Sequence, residues 1–204
     1  GSFAEYIALP ERLLARKPAS PGWNESAGLP LAGLTAYQVL DRLGLKAGET
    51  VLIHGGAGGV GSLGIQIAAA LGARVIATAS ERNHDFLRSL GAEPVSYGEG
   101  LAARVRALRH DSVHAVADFV GGNLDATLAV LADGGRHASI ADSDVEQHGG
   151  TWMWVNPVGA QLQELADLVD QHNVRVEVAR TFPLPEAADA FRLNMEGHTR
   201  GKIV

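Results

Sequence analysis

Gly56, Gly58 and Gly61 lie in the run Val51-Leu52-Ile53-His54-Gly55-Gly56-Ala57-Gly58-Gly59-Val60-Gly61-Ser62, spaced as G-x-G-x-x-G. The first glycine permits a tight turn off a strand. The second, lacking a Cβ, lets the backbone come close to a pyrophosphate, and the third lets the next helix pack tightly. A pyrophosphate held there meets a helix N-terminus, where free N–H groups and the helix dipole favour negative charge. The same glycines also suit a plain sharp turn, so context decides between the readings. Dinucleotide chemistry requires an apolar strand before the turn, a helix after it and a second strand about 20 residues on. All three are present. No Gly-Lys-Ser/Thr ending follows, which sets aside the nucleoside triphosphatase loop.

The tip of the second strand bears on which dinucleotide. It ends Thr78-Ala79-Ser80 and is followed by Glu81, Arg82, Asn83 and His84. An NAD enzyme usually places an acid there for the ribose 2′-hydroxyl. Ser80, Arg82 and His84 instead attract a 2′-phosphate, so NADP(H) is expected. Glu81 keeps NAD(H) open as the alternative, and Arg82 and His84 also fit a solvated helix start. His54, just before the turn, reads either as a phosphate contact or as a buried strand-end histidine. His110, His114, His137, His148, His172 and His198 show no metal-ligand spacing, Asp142 and Asp144 read as loop solvation, and no metal site is expected. The absence of cysteine excludes disulfides, thiolate catalysis and sulfur-ligated zinc within these residues.

The elements that must position this turn follow from apolar pattern and punctuation. Extended pieces fill 3–20, with Pro10, Pro18 and Pro21, and a helical region over 23–43 breaks near Gly28-Leu29-Pro30 and closes at Gly44. Strands are expected at 51–53, 74–79, 94–96, 113–119, 136–140 and 151–155. Helices are expected at 60–71, 81–90, 99–109, 122–131, 158–172 and 185–195. The stretch 142–150 reads as a loop, 174–182 as extended, and 201–204 as a strand fragment. Continuously apolar strands such as Val51–Ile53 and Val75–Ala79, alternating with helices, predict an α/β fold: a doubly wound parallel sheet of the Rossmann type.

The composition narrows the functional classes. The 204 residues are 46% hydrophobic and 20% charged with a net charge of −6, and arginines such as Arg104, Arg106 and Arg109 are scattered. No basic field points to nucleic acid or to anionic lipid. No run approaches the roughly 18 apolar residues of a membrane span, and no signal pattern opens the chain, so a soluble cytoplasmic protein is expected. Gly1-Ser2 lacks an initiator Met and leads straight into strand-like alternation, which reads as something cut from a longer chain.

Several segments resemble a known family. Pro30-Leu31-Ala32-Gly33-Leu34-Thr35-Ala36-Tyr37, the turn Ala57–Gly61, Leu90-Gly91-Ala92, Gly121-Gly122 and the closing Glu196-Gly197-His198-Thr199-Arg200-Gly201-Lys202-Ile203-Val204 are similar to the zinc-independent quinone oxidoreductase branch of the medium-chain dehydrogenase/reductase superfamily. The resemblance implies an enzyme, or the cofactor part of one, that transfers hydride from NADPH to a quinone, an enone or a related small conjugated carbonyl. It places Thr35 beside the nicotinamide and Ala57, Gly58, Gly59, Val60 and Gly61 at the pyrophosphate. Ser80, Arg82, His84 and Tyr97 would surround the 2′-phosphate, and the backbone of Val120 and Gly121 would lie near the nicotinamide ribose. Trp154, with Trp152, matches a segment near the carboxamide, although an edge-strand or subunit contact suits these tryptophans equally.

The resemblance also implies an organisation. Residues 1–22 would be a remnant of a GroES-like substrate domain, 23–179 the dinucleotide-binding domain and 180–204 the return to the substrate domain. Most of that substrate domain is absent here, and with it the expected catalytic residues; Tyr6 and Tyr37 are not substitutes. Family members pair through the last strands of the sheet, so a homodimer through 136–140 and 151–155 is expected. The alternatives are a non-catalytic NADP(H)-binding module or a structural protein.

Overall fold

The computed structural model describes residues 3–108 and 113–204. Arg109, which ends the helix expected over 99–109, and His110 lie outside the described residues, as do Gly1 and Ser2. The helical region breaks where expected, into α1 (Trp23–Ala27) and α2 (Leu29–Arg42), with Pro30 in the first turn of α2 where its missing N–H costs nothing. Then β1 (Thr50–His54), α3 (Gly61–Ala70) and β2 (Arg74–Thr78) form the first βαβ unit. A short 3-10 turn at Glu81–Asn83 leads into α4 (His84–Ser89), followed by β3 (Ala92–Val95) and α5 (Leu101–Leu108). The second half runs β4 (Val113–Asp118), α6 (Leu124–Val130), β5 (Leu131–Ser139), β6 (Thr151–Trp152) and α7 (Gly159–His172). The chain closes with β7 (Val178–Arg180), α8 (Ala187–Met195) and β8 (Lys202–Ile203).

Six strands form one parallel sheet in the order β3-β2-β1-β4-β5-β6, while β7 and β8 pair separately. Alternate side chains of each central strand enter different layers, because strand side chains alternate between faces. Val51, Ile53, Val75, Ala77, Ala115 and Ala117 join Leu63 and Ile67 of α3, Val39 of α2 and Leu165 of α7. Leu52, Ile76 and Val116 instead meet Leu101 and Val105 of α5 and Val130 of α6. Each fully buried branched side chain of this kind stabilises the fold by about 1.5–3 kcal/mol. Both faces are therefore covered, which makes the sheet doubly wound.

Three expectations need correction. The strand expected over 151–155 ends at Trp152, because Asn156 is drawn away: its N–H donates to Gln38 Oε1 at 2.9 Å and its carbonyl accepts from Gln38 Nε2 at 2.7 Å. The stretch 142–150 holds a 3-10 turn over Ser143–His148, and the Asp142 carboxylate caps it by accepting from the Asp144 N–H at 3.0 Å rather than merely meeting solvent. The strand expected over 136–140 begins five residues earlier, at Leu131. A register shift against β4 absorbs the extra residues, which include Gly134 and Gly135. The N-terminal stretch lies along α7: Ala19 and Ser20 donate their N–H groups to the Asp170 carboxylate at 2.8 Å, and Arg16 N–H donates to Gln163 Oε1 at 2.9 Å.

Candidate functional site

β1 pairs with β2 on one side and with β4 on the other, so the chain's order reverses between β1 and β4. In open parallel sheets, ligands bind outside the carboxyl ends of the strands at such a reversal. A cleft of about 640 Å³ opens there. Its walls are the turn after β1 (Gly55, Ala57–Gly61), the tip of β2 (Thr78, Ala79, Ser80, Arg82, Asn83), the tip of β3 (Tyr97, Gly98), the loop after β4 (Phe119, Val120, Gly121, Asn123) and His198 and Thr199 of the returning tail.

The three motif glycines have different duties. A Cβ on Gly61 would overlap the Gly55 carbonyl oxygen and lie 2.8 Å from its carbon and 2.9 Å from Gly56 Cα, so the turn itself closes against this position. A Cβ on Gly56 would come within 2.8 Å of Ala77 Cβ, in the core rather than in the cleft. At Gly58 the nearest atom is the Gly55 carbonyl oxygen at 3.3 Å, and the position faces the cleft. Gly58 is thus the place where the missing side chain leaves room for a ligand. The turn is fixed from below: Gly55 N–H donates to Thr78 Oγ1 at 3.0 Å and Gly56 N–H to the Thr78 carbonyl at 2.9 Å. Behind it, α3 begins with Val60 as its N-cap and no side chain caps it. Ser62 N–H already donates to the Gly58 carbonyl at 3.0 Å. Among the described residues no side chain occupies the other donors of this first turn, which with the helix dipole suit an anion.

The charges on the wall suit a polyanion. In a chain of net charge −6, the described residues that line the cleft include no Asp or Glu, and Arg82 is the one arginine or lysine among them. Glu81, the residue that kept NAD(H) open, is exposed and outside the lining. Ser80 lies two residues past Thr78 and Tyr97 two past Val95, and Thr78 and Val95 are register partners. The pairing of β2 with β3 thus places Ser80 beside Tyr97 on one lip.

The β4 side is organised by Asp118. Its Oδ1 accepts from the N–H groups of Val120 and Gly121, both at 3.0 Å, and from Asn123 Nδ2 at 3.4 Å; Ser139 Oγ donates to Oδ2 at 3.4 Å. His54, its register partner on β1, is buried with Nε2 3.2 Å from Thr127 Oγ1. Burial pushes the His54 imidazole down to about 4, against the opposing pull of Asp118. Of its two readings, the structure gives the buried strand-end histidine: His54 does not line the cleft.

Of the residues expected at the cofactor, the cleft gathers Ala57, Gly58, Gly59, Val60, Gly61, Ser80, Arg82, Tyr97, Val120 and Gly121. Four others lie elsewhere. Gly56 faces the core. Thr35 is buried in α2, where Oγ1 donates to the Leu31 carbonyl at 2.6 Å. His84 opens α4 with Nε2 buried and without a partner among the described residues. Trp154 is 72% exposed and stands edge-on to Trp152 at 6.1 Å. Sequence reasoning gave no cofactor role to Thr78, Asn83, Gly98, Asn123, His198 or Thr199. The signal for His198 and Thr199 was present in the closing motif. Their place on the cleft depends on a contact across the fold, in which Gly201 N–H donates to the Ala57 carbonyl at 3.0 Å.

Comparison with known proteins agrees with this geometry. Residues 90–204 match the family described as zinc-binding dehydrogenase. The chain is 35% identical to the chloroplastic NADPH-dependent alkenal/one oxidoreductase of Arabidopsis thaliana, over all of this chain and 52% of that protein. Among solved structures, an NAD-dependent alcohol dehydrogenase superposes with a TM-score of 0.88 at 33% identity, covering 100% of this chain and 64% of that one. The quinone oxidoreductase of Thermus thermophilus, solved also in complex with NADPH, gives 0.84 at 29% identity, covering 100% and 73%. The chain spans about half the length of the alkenal/one oxidoreductase. With the family match extending over more than half of its residues, the chain belongs to the zinc-binding dehydrogenase family, within the medium-chain dehydrogenase/reductase superfamily that includes the quinone oxidoreductases.

Proposed function

We propose that this chain is the NADP(H)-binding part of an oxidoreductase that transfers hydride from NADPH to a quinone, enone or similar conjugated carbonyl. The observation that carries the reading is the carboxylate-free cleft at the β1/β4 reversal, with Arg82 and Ser80 on its rim and Glu81 outside it. The relatives' names include both NADPH and NAD. This cleft's own residues favour the 2′-phosphate, since a guanidinium and a hydroxyl attract it and no acid repels it. NADPH, when bound, supplies the hydride. The protein's part is to hold the pyrophosphate at Gly58 and the uncapped start of α3, and to fix the Val120–Gly121 wall through Asp118. A conjugated acceptor spreads the incoming charge, so positioning and exclusion of water supply much of the rate.

Three finer points belong to the same reading. The chemistry is zinc-independent, a reading that rests on the resemblance of the glycine turn and the closing motif to the zinc-independent quinone oxidoreductase branch. Residues 1–22 and 180–204 form the edges of a substrate domain; Phe3 meets Phe191 edge-on at 5.4 Å and joins the two stretches. The protein is a cytoplasmic homodimer through the β6 edge, where Trp152 and Trp154 stand exposed. Light scattering that gives a monomer removes the dimer, and cell fractionation checks the compartment; among the described residues no helix is long and apolar enough to cross a membrane.

The test of the main reading is a parallel titration with NADPH and NADH, followed by cofactor fluorescence. Tight NADPH and weak NADH binding is expected, together with little quinone-dependent NADPH oxidation by these residues alone. Equal binding would overturn the NADP(H) assignment, and binding of neither would mean that the absent substrate domain is needed to complete the site or that the role is structural.

A further inference from the structure

Tyr97 reaches the cleft from a loop with little else to hold it. Residues 97–100 are exposed, and Tyr97 itself is 55% exposed although it forms part of the wall. The carbonyls of this loop converge on one cation. Arg104, half-buried on the first turns of α5, donates from Nε to the Ser96 carbonyl at 3.0 Å and from Nη1 to the Glu99 carbonyl at 2.7 Å. From Nη2 it donates to the carbonyls of Tyr97 and Gly98, both at 3.2 Å. Four successive carbonyls are thus tied to a single guanidinium. Among the described residues, no other side chain is seen to bond this loop's carbonyls. The base of α5 is itself fixed, since Leu101 and Val105 are buried in the second core layer.

We infer that Arg104 is a positioning residue for cofactor choice: by clamping 96–99 onto α5 it holds Tyr97 beside Ser80 and Arg82, and so completes the pocket for the 2′-phosphate. The inference rests on the NADP(H) reading above. The geometry favours selectivity over general support because the clamped loop borders only the β2/β3 lip. The pyrophosphate turn and the Val120–Gly121 wall have their own anchors, Thr78 and Asp118. A planar fork with five donors can span four carbonyls. A lysine ammonium, a point donor on a flexible stem, cannot.

The experiment compares Kd for NADPH and for NADH, by cofactor fluorescence, in the wild-type chain, Arg104→Met and Arg104→Lys, with a thermal melt of each without cofactor. Arg104→Met keeps the aliphatic stem over the helix and removes every donor. We expect it to weaken NADPH about tenfold, the scale of one lost charge-assisted contact, and NADH by less than about threefold. Arg104→Lys should recover only part of that loss. A double variant adds a direct check: on a Tyr97→Leu background, Arg104→Met should cost little further NADPH affinity if it acts through Tyr97. Equal losses for the two cofactors, or unchanged NADPH affinity in Arg104→Met, would overturn the inference while leaving the cofactor reading intact. A wild-type chain that does not prefer NADPH overturns the cofactor reading first, and this inference with it.

Discussion

Two glycines three residues apart should respond to the same substitution in opposite ways. In Gly61→Ala the new methyl overlaps the Gly55 carbonyl oxygen and lies 2.8 Å from Gly55 C and 2.9 Å from Gly56 Cα, all backbone atoms. Overpacking costs about 1–3 kcal/mol, and atoms that cannot swing aside put this site near the top of that range. At roughly 2–4 °C per kcal/mol for a chain of this size, the melting temperature should fall by about 6–12 °C. In Gly58→Ala the methyl meets only the Gly55 carbonyl oxygen, at 3.3 Å, and the residue does not occupy the left-handed region. A few tenths of an ångström of adjustment suffice, so the melt should move by less than about 2 °C. That methyl enters the space where a pyrophosphate would approach the turn. Losing even one charge-assisted hydrogen bond, about 1.5–3 kcal/mol, weakens NADPH by at least about tenfold. The assay pairs a thermal melt without cofactor with a fluorescence titration of each variant. Gly58→Ala binding NADPH within twofold of wild type would refute the cradle, and equal melting losses would refute the division of labour.

Arg82→Gln should weaken NADPH by roughly tenfold while leaving NADH nearly unchanged, because only the 2′-phosphate distinguishes the two; parallel titrations read the ratio. Asp118→Ala should instead weaken both cofactors alike and cost about 1–3 kcal/mol in urea unfolding, since the Val120 and Gly121 N–H groups lose their acceptor. For His54 the folded-state value of about 4 lies below its ordinary 6.5. The unfolded chain therefore takes the proton first, and stability is held above about pH 6.5 and lost as pH falls through 4. The full loss is on the order of 3 kcal/mol. His54→Gln, which keeps a nitrogen for Thr127, should flatten this dependence in urea midpoints measured between pH 7.5 and 4; an unchanged slope would place the titration elsewhere.

Much was legible in the sequence because it is written in local rules. The continuously apolar strands and their helical partners specify a parallel sheet, and the spacing of Gly56, Gly58 and Gly61 locates the turn. Pro30 and Gly28 mark the break between α1 and α2. The early end of β6 was not legible, because it depends on Gln38 reaching across 118 residues to Asn156. The capping of the 143–148 turn was not legible either, because Asp142 suits a solvated loop equally well.

For the site, residue types and spacing by themselves determined the chemistry: a phosphate-seeking glycine turn and an acid-poor strand tip. Tertiary structure decided which residues share the cleft. It turned Glu81 away, sank His54 under Thr127, kept Thr35 and Trp154 off the wall and brought His198 and Thr199 onto it through Gly201 and Ala57. The physical reason is range. A turn's shape and a strand's burial follow from neighbours a few residues apart, whereas a wall is built from chain ends, strand registers and single long-range hydrogen bonds. Gly58 is legible as a motif position, but that its missing Cβ faces open cleft, while those of Gly56 and Gly61 face protein, is a property of the packed fold.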